Sequence, residues 1–187
     1  MIVDSNIKNT VNGIDHEQCR AIKEHIKAGG DGDIAKPRYQ VTVIWDSGYH
    51  TTSNVSDDQV IIGDEPVRYG GEGMGVTPQD LLLTAVGHCL AATYIGGLSA
   101  ARINVESLRL HVSGRVNFRA AYGIEPGNPG FEDIKVTVEI QTDASQKEVT
   151  VLLKKLERTA PIPDTIMRPV PVNVEIHHYS EPATHSA

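Results

Sequence analysis

The spacing of apolar and polar residues changes several times along the 187-residue chain, and each change predicts an element. Residues 15–28, DHEQCRAIKEHIKA, place Ile22 and Ile26 four apart with Cys19 three before Ile22, the spacing of one helix face. Asp15 suits the start of that helix, and Gly29-Gly30 suit its end. From Tyr39 the pattern becomes alternating and β-branched, so YQVTVIW predicts a strand. DSGYH predicts a turn, HTTSNVS a return strand, and residues 59–62 a short third strand. The chain then crosses GGEGMGVTPQD, a glycine-rich loop that passes close to other backbone.

Residues 78–101 form the most distinctive stretch. Thr77 is placed to cap a helix, Pro78 to occupy its first turn and Asp80 to return the capping bond. The helix is apolar nearly all round, and Ala85, Gly87, Ala91, Ala92, Gly96 and Gly97 allow close approach of a neighbour. A helix without a polar face must be covered on every side. One chain with few strands supplies too little cover, so burial in a homodimer is expected. Residues 105–118 predict a long strand, 120–130 a loop, and 131–141 a cleanly alternating strand. Ser145 caps a second amphipathic helix over 145–160, which Pro161 and Pro163 are expected to stop. Residues 169–177, PVPVNVEIH, predict a closing strand. The resulting reading is a two-layer α+β domain over 38–178, an N-terminal extension over 1–37 with one amphipathic helix, and a flexible tail over 179–187.

Composition narrows the function. Seventeen Lys and Arg are scattered among 24 Asp and Glu, for a net charge of −7, which excludes the clustered basic surface of a nucleic-acid binder. The glycine-rich loop lacks the Lys-Ser/Thr pair of a phosphate-binding loop. No basic-then-apolar leader is visible, and glycines and His88 interrupt the apolar run, so a buried core helix is expected rather than a membrane span. Two cysteines seventy positions apart make no disulfide framework, consistent with reduced thiols in the cytoplasm. No CxxC or HxxxH spacing marks a metal site, and the adjacent His177 and His178 point to opposite sides of a strand. No cofactor is expected.

Cys89 carries the candidate chemistry. A buried cysteine is most often a small hydrophobe. As a nucleophile it needs cations or donors around its sulfur, which a mid-helix position must obtain from tertiary contacts. His88 is adjacent but turned by about 100° on the helix, so it does not automatically face the thiol. Cys19 lies on a surface helix face with no evident partner.

The order of these elements, with the segments Thr77-Pro78 through Cys89 and Ala160-Pro161 through Val174, resembles the OsmC/Ohr family of thiol-dependent hydroperoxide reductases. The resemblance spans residues 38–178. It implies an intertwined homodimer in which two central helices pack together, wrapped by sheets from both subunits. It implies peroxide reduction by a cysteine that becomes a sulfenic acid, a second cysteine that resolves it, and an Arg and a Glu that activate the thiolate. Cys89 falls on the peroxidatic position. Ala160 stands at the resolving position, and Gln79 at that of the family glutamate. The activating arginine belongs near 47–52, where the nearest cationic residue is His50; Arg38, Arg68 and Arg168 are substitutes that no motif places. Two readings remain open. One is a one-cysteine peroxidase using Cys89, a hydroperoxide substrate and an external thiol reductant. The other is a catalytically degenerate relative that binds a small apolar molecule at the dimer interface. Cys/His hydrolase chemistry is a remote third, because no oxyanion loop accompanies the cysteine.

Overall fold

The alternating stretches pair as antiparallel strands, and the apolar helix lies across the longest pair. A computed structural model of the chain describes residues 10–30, 32–56 and 58–179. A short hairpin of β1 (Thr10–Val11) and β2 (Ile14–Asp15) leads into α1 (His16–Lys27). The Asp15 carboxylate accepts from the Glu17 and Gln18 amides, as its cap position predicts. A single turn, α2 (Gly32–Ala35), follows. β3 (Thr42–Ser47), β4 (His50–Ser56) and β5 (Gln59–Gly63) form the expected three-stranded meander.

The glycine-rich loop is anchored by Asp64, a carboxylate only 3% exposed. Its oxygens accept from the amides of Glu65 at 2.8 Å, Glu72 at 3.1 Å and Met74 at 3.0 Å. Those donors hold its carboxyl below the usual range, the Met74 amide most strongly, while burial opposes them. The folded loop leaves no room for a side chain at Gly71, where a Cβ would sit on the Glu65 carbonyl oxygen. The expected close backbone approach is therefore present, and the loop is built around one carboxylate.

The long helix α3 (Pro78–Ala100) begins with the expected capping box: Thr77 accepts from the Asp80 amide and Asp80 returns the bond. β6 (Val105–Val116) and β7 (Phe131–Thr142) form a long antiparallel pair in which Leu108 faces Ile140, Leu110 faces Val138 and Val112 faces Val136. Those apolar residues cover α3, whose buried stripe is Val86, Leu90, Tyr94 and Leu98, the i, i+4 spacing of one helix face. α5 (Gln146–Leu156), capped by Ser145 as expected, closes the core with Val149, Leu152 and Leu153. Gly97 exists for this packing: a Cβ there would strike the side chain of Leu156. By length and composition α3 is also able to cross a membrane, but here it packs on β6, on α5 and on the short helix that starts at Pro161.

Several expectations change. The stretch 120–130 is not wholly loop, because a turn of helix, α4 (Phe118–Ala121), runs into its first two residues. Pro161 does not end a helix but starts one: α5 passes into a 3-10 turn at Glu157–Thr159, and α6 (Pro161–Met167) begins with proline in its first turn. Proline has no N–H to lose there and its fixed φ fits the helix. Residues 169–177 form no strand. A strand exists only when its backbone groups find a neighbour, and this segment lies extended, with Val172, Val174 and Ile176 each at least 80% exposed. The tail beyond residue 179, expected to be flexible, lies outside the described residues, as do residues 1–9 of the extension.

Asn12 ties the described part of the extension to the core. Asn12 sits at φ 52° in the β1–β2 turn. Its amide donates to Ser99 Oγ at 2.9 Å and to the Ile103 carbonyl at 3.0 Å, and its carbonyl oxygen accepts from the Val105 amide at 2.8 Å. These three groups lie where α3 ends and β6 begins.

Candidate active site

Cys89 lies midway along α3, half-buried at the edge of the core cluster. Its sulfur accepts from the Ile162 amide at 3.4 Å. Ile162 is the second residue of α6, so the amide comes from the open end of a helix, where N–H groups lack partners within the helix. Pro161 supplies no N–H, and Ala160 is fully buried as the residue preceding the helix. The segment from α5 to α6 thus returns to Cys89 through the Ile162 amide, and Ala160 belongs to the buried cluster against which Cys89 packs. Among the described residues no charged side chain forms a hydrogen bond with the thiol.

The other sequence candidates lie apart from it. Gln79 is the second residue of α3, about 15 Å along the helix axis from Cys89. It is half-buried in a cleft of about 410 Å³ shared with Arg68, Tyr69, Arg115 and Phe118. Arg68 stacks over the Tyr69 ring at 5.0 Å, and Tyr69 meets Phe118 edge-on at 5.0 Å. Of the three arginines considered, Arg68 is therefore the one that shares a cleft with Gln79. Arg38 is exposed, and Arg168 is paired with Asp164 at 2.6 Å. His50 opens β4, and its Nδ1 lies 3.2 Å from Asp46, an oxygen that also accepts from Thr52. His88 is exposed and lines a cleft between α3 and β6. His177 lies 3.2 Å from Glu175 in the extended C-terminal segment.

Sequence reasoning missed Ile162 and Tyr94. A backbone donor carries no residue-type signal, so only the proline-initiated helix hinted at the first. Tyr94 is hidden inside an apolar run, yet it is 4% exposed and its phenol is held above the usual range by burial and by the nearby Glu157.

The fold is an α+β domain in which a long apolar helix packs on a two-stranded antiparallel sheet, with a half-buried cysteine met by the amide end of a second helix. The chain belongs to the OsmC-like protein family, whose model matches residues 71–175. An OsmC-like protein from Mycoplasma pneumoniae superposes with a TM-score of 0.61 at 22% identity, over 71% of this chain and 89% of that one. An organic hydroperoxide resistance protein OsmC from Legionella pneumophila gives 0.51 at 18% identity, over 68% and 89%. One from Elizabethkingia anophelis, with thiocyanate bound, gives 0.52 at 14% identity, over 69% and 89%. At these identities the likenesses establish the fold. No curated protein matches the chain.

Proposed function

We propose that this protein reduces organic hydroperoxides with one cysteine, Cys89, and an external thiol. The observation that carries the reading is the sulfur itself, half-buried at the family's peroxidatic position and met by the Ile162 amide at 3.4 Å. The thiolate attacks the distal peroxide oxygen; the O–O bond breaks, an alcohol leaves after protonation, and sulfur becomes a sulfenic acid. A backbone N–H beside sulfur can also donate to the oxygen it gains. Ala160 cannot resolve that product. An external thiol therefore condenses with the sulfenic acid to a mixed disulfide and water, and a second thiol releases Cys89 as the free thiol and leaves as the disulfide. Dimedone added after sub-stoichiometric cumene hydroperoxide is expected to label Cys89; no label together with no peroxide loss refutes the reading.

The degenerate alternative rests on Gln79, Ala160 and the absence, among the described residues, of a charged group on the thiol. It predicts ligand binding that Cys89→Ser leaves intact and no peroxide turnover.

The active form in this reading is a homodimer. Support comes from apolar side chains that one subunit leaves bare: Val43 and Trp45 on β3 at 63% and 70% exposure, Val172, Val174 and Ile176, and Leu82 on α3. Extended residues 169–177 have the alternation to pair with a sheet edge of the second copy. Analytical ultracentrifugation is expected to give twice the chain mass; a monomer at micromolar concentration refutes it. The cytoplasm, with its reduced thiols, suits this chemistry.

A further inference from the structure

Peroxide reduction as proposed leaves Cys89 as a sulfenic acid, and Ala160 offers that product no thiol. A sulfenic acid also condenses with a backbone nitrogen, giving a sulfenamide. The surroundings of Cys89 favour such a partner. The Ile162 nitrogen lies 3.4 Å from the sulfur, within the roughly 3–3.5 Å that separates atoms held ready to react. Its N–H points at the sulfur. A sulfur that replaces this hydrogen lies along the old N–H direction and keeps the amide planar. Ile162 is the second residue of α6, where an N–H has no acceptor within its own helix, so losing the hydrogen breaks no helix bond.

The other end of the same peptide unit is also engaged. Its carbonyl belongs to Pro161, and that oxygen accepts from the Thr165 hydroxyl at 2.8 Å. As the nitrogen gives up its proton, negative charge gathers on this oxygen. A donor already in place stabilises that charge, as donors at a developing oxyanion do. Ile162 is half-buried and packs on the same core cluster as Cys89, which holds the two reacting atoms together.

We propose that Cys89, once oxidised by an organic hydroperoxide, closes onto the Ile162 nitrogen, with the Thr165 hydroxyl assisting. The S–O and N–H bonds break, an S–N bond forms, and the hydroxyl leaves with the amide proton as water; sulfur keeps its oxidation state. A thiol reopens the link by attacking sulfur: the nitrogen regains a proton, and the mixed disulfide rejoins the reductive half of the cycle. Closure shields Cys89 from oxidation to the sulfinic acid when thiol is scarce. The inference rests on the peroxide reading, and the experiment separates the two. Cys19→Ser, in which Cys89 is the one remaining cysteine, is given one equivalent of cumene hydroperoxide without reductant. Its mass is expected to fall by about 2 Da from the thiol form, against gains of about 16 and about 32 Da for the sulfenic and sulfinic acids. Trypsin without reductant is expected to leave residues 69–102 joined to the peptide that begins at residue 159, and dithiothreitol to restore the thiol mass. Adding Thr165→Val is expected to slow closure roughly two- to ten-fold, the effect of one hydrogen bond, and to leave the rate of dimedone labelling unchanged. Labelling by dimedone present from the start, with no joined peptide when dimedone is omitted, overturns the inference and leaves peroxide reduction standing. Neither label nor peroxide loss overturns both. Closure at an unchanged rate in Thr165→Val overturns the part given to its hydroxyl.

Discussion

Replacing Asn12 by alanine tests how the N-terminal extension is held. The substitution orphans Ser99 Oγ, the Ile103 carbonyl and the Val105 amide at once. Ser99 is fully buried and Ile103 is 5% exposed, so water does not readily replace the lost amide. A buried polar group left without a partner costs about 1–3 kcal/mol. Three such groups set an upper limit that the protein need not reach. The hairpin can lift away and let water in, so the cost cannot exceed the energy that docks it. Backbone strain adds to the effect: Asn12 is left-handed at φ 52°, where alanine loses about 1–2 kcal/mol. The expected net loss is about 2–4 kcal/mol in urea unfolding at fixed protein concentration. Asn12→Gly removes the bonds but not the freedom to adopt this φ, so it is expected to recover about 1 kcal/mol of the loss. Trypsin provides a second readout, because an undocked hairpin exposes the α1 segment around Arg20 and Lys23 to cleavage. A loss under about 0.5 kcal/mol with an unchanged tryptic pattern refutes the latch, since even one orphaned buried group exceeds that.

Acid is expected to loosen the loop around Asp64. Its folded carboxyl titrates below its unfolded value near 3.8, so the stabilisation is fully present above that pH and is lost as pH falls through the lower folded value. Asp64→Asn removes it at neutral pH, so the Glu72 and Met74 amides should exchange with deuterium faster than in the unsubstituted protein, with the two converging in acid; parallel pH profiles contradict this. In the proposed reading, Ala160→Cys should supply a thiol able to resolve Cys89, giving an intrachain disulfide after one equivalent of hydroperoxide by non-reducing mass spectrometry. The added sulfur in a filled site should cost about 1–3 kcal/mol of stability. A folded variant that forms no disulfide contradicts the assignment of Ala160 to the resolving position.

Local chemistry made much of this fold legible. The Thr77-Pro78-Asp80 box, the Ser145 cap and the alternation of residues 131–141 each state their element within a few residues. Interactions at long range were harder to read. The hairpin at Asn12-Gly13 went unread in an extension expected to hold one helix, although that pair between Val11 and Ile14 is a hairpin signal, and nothing in sequence says that Asn12 reaches a turn near residue 103. Pro161 carried two meanings, helix end and helix start, and only the path of the chain back to Cys89 selects the second. The strand pattern over 169–177 is plain, yet a strand is a property of a pair, and one subunit offers it no neighbour. At the candidate site, the motif singles out Cys89. Its donor is a backbone amide and carries no such signal.

Catalysis by Cys89 is tested most directly by peroxide consumption with a dithiol reductant. Purified protein, Cys89→Ser and Cys19→Ser are each given cumene hydroperoxide and dihydrolipoamide, and residual peroxide is followed with time. Repeated turnover by the unsubstituted protein and by Cys19→Ser, with only the uncatalysed background in Cys89→Ser, is the predicted result. No consumption above background by the unsubstituted protein, or equal consumption by Cys89→Ser, contradicts it.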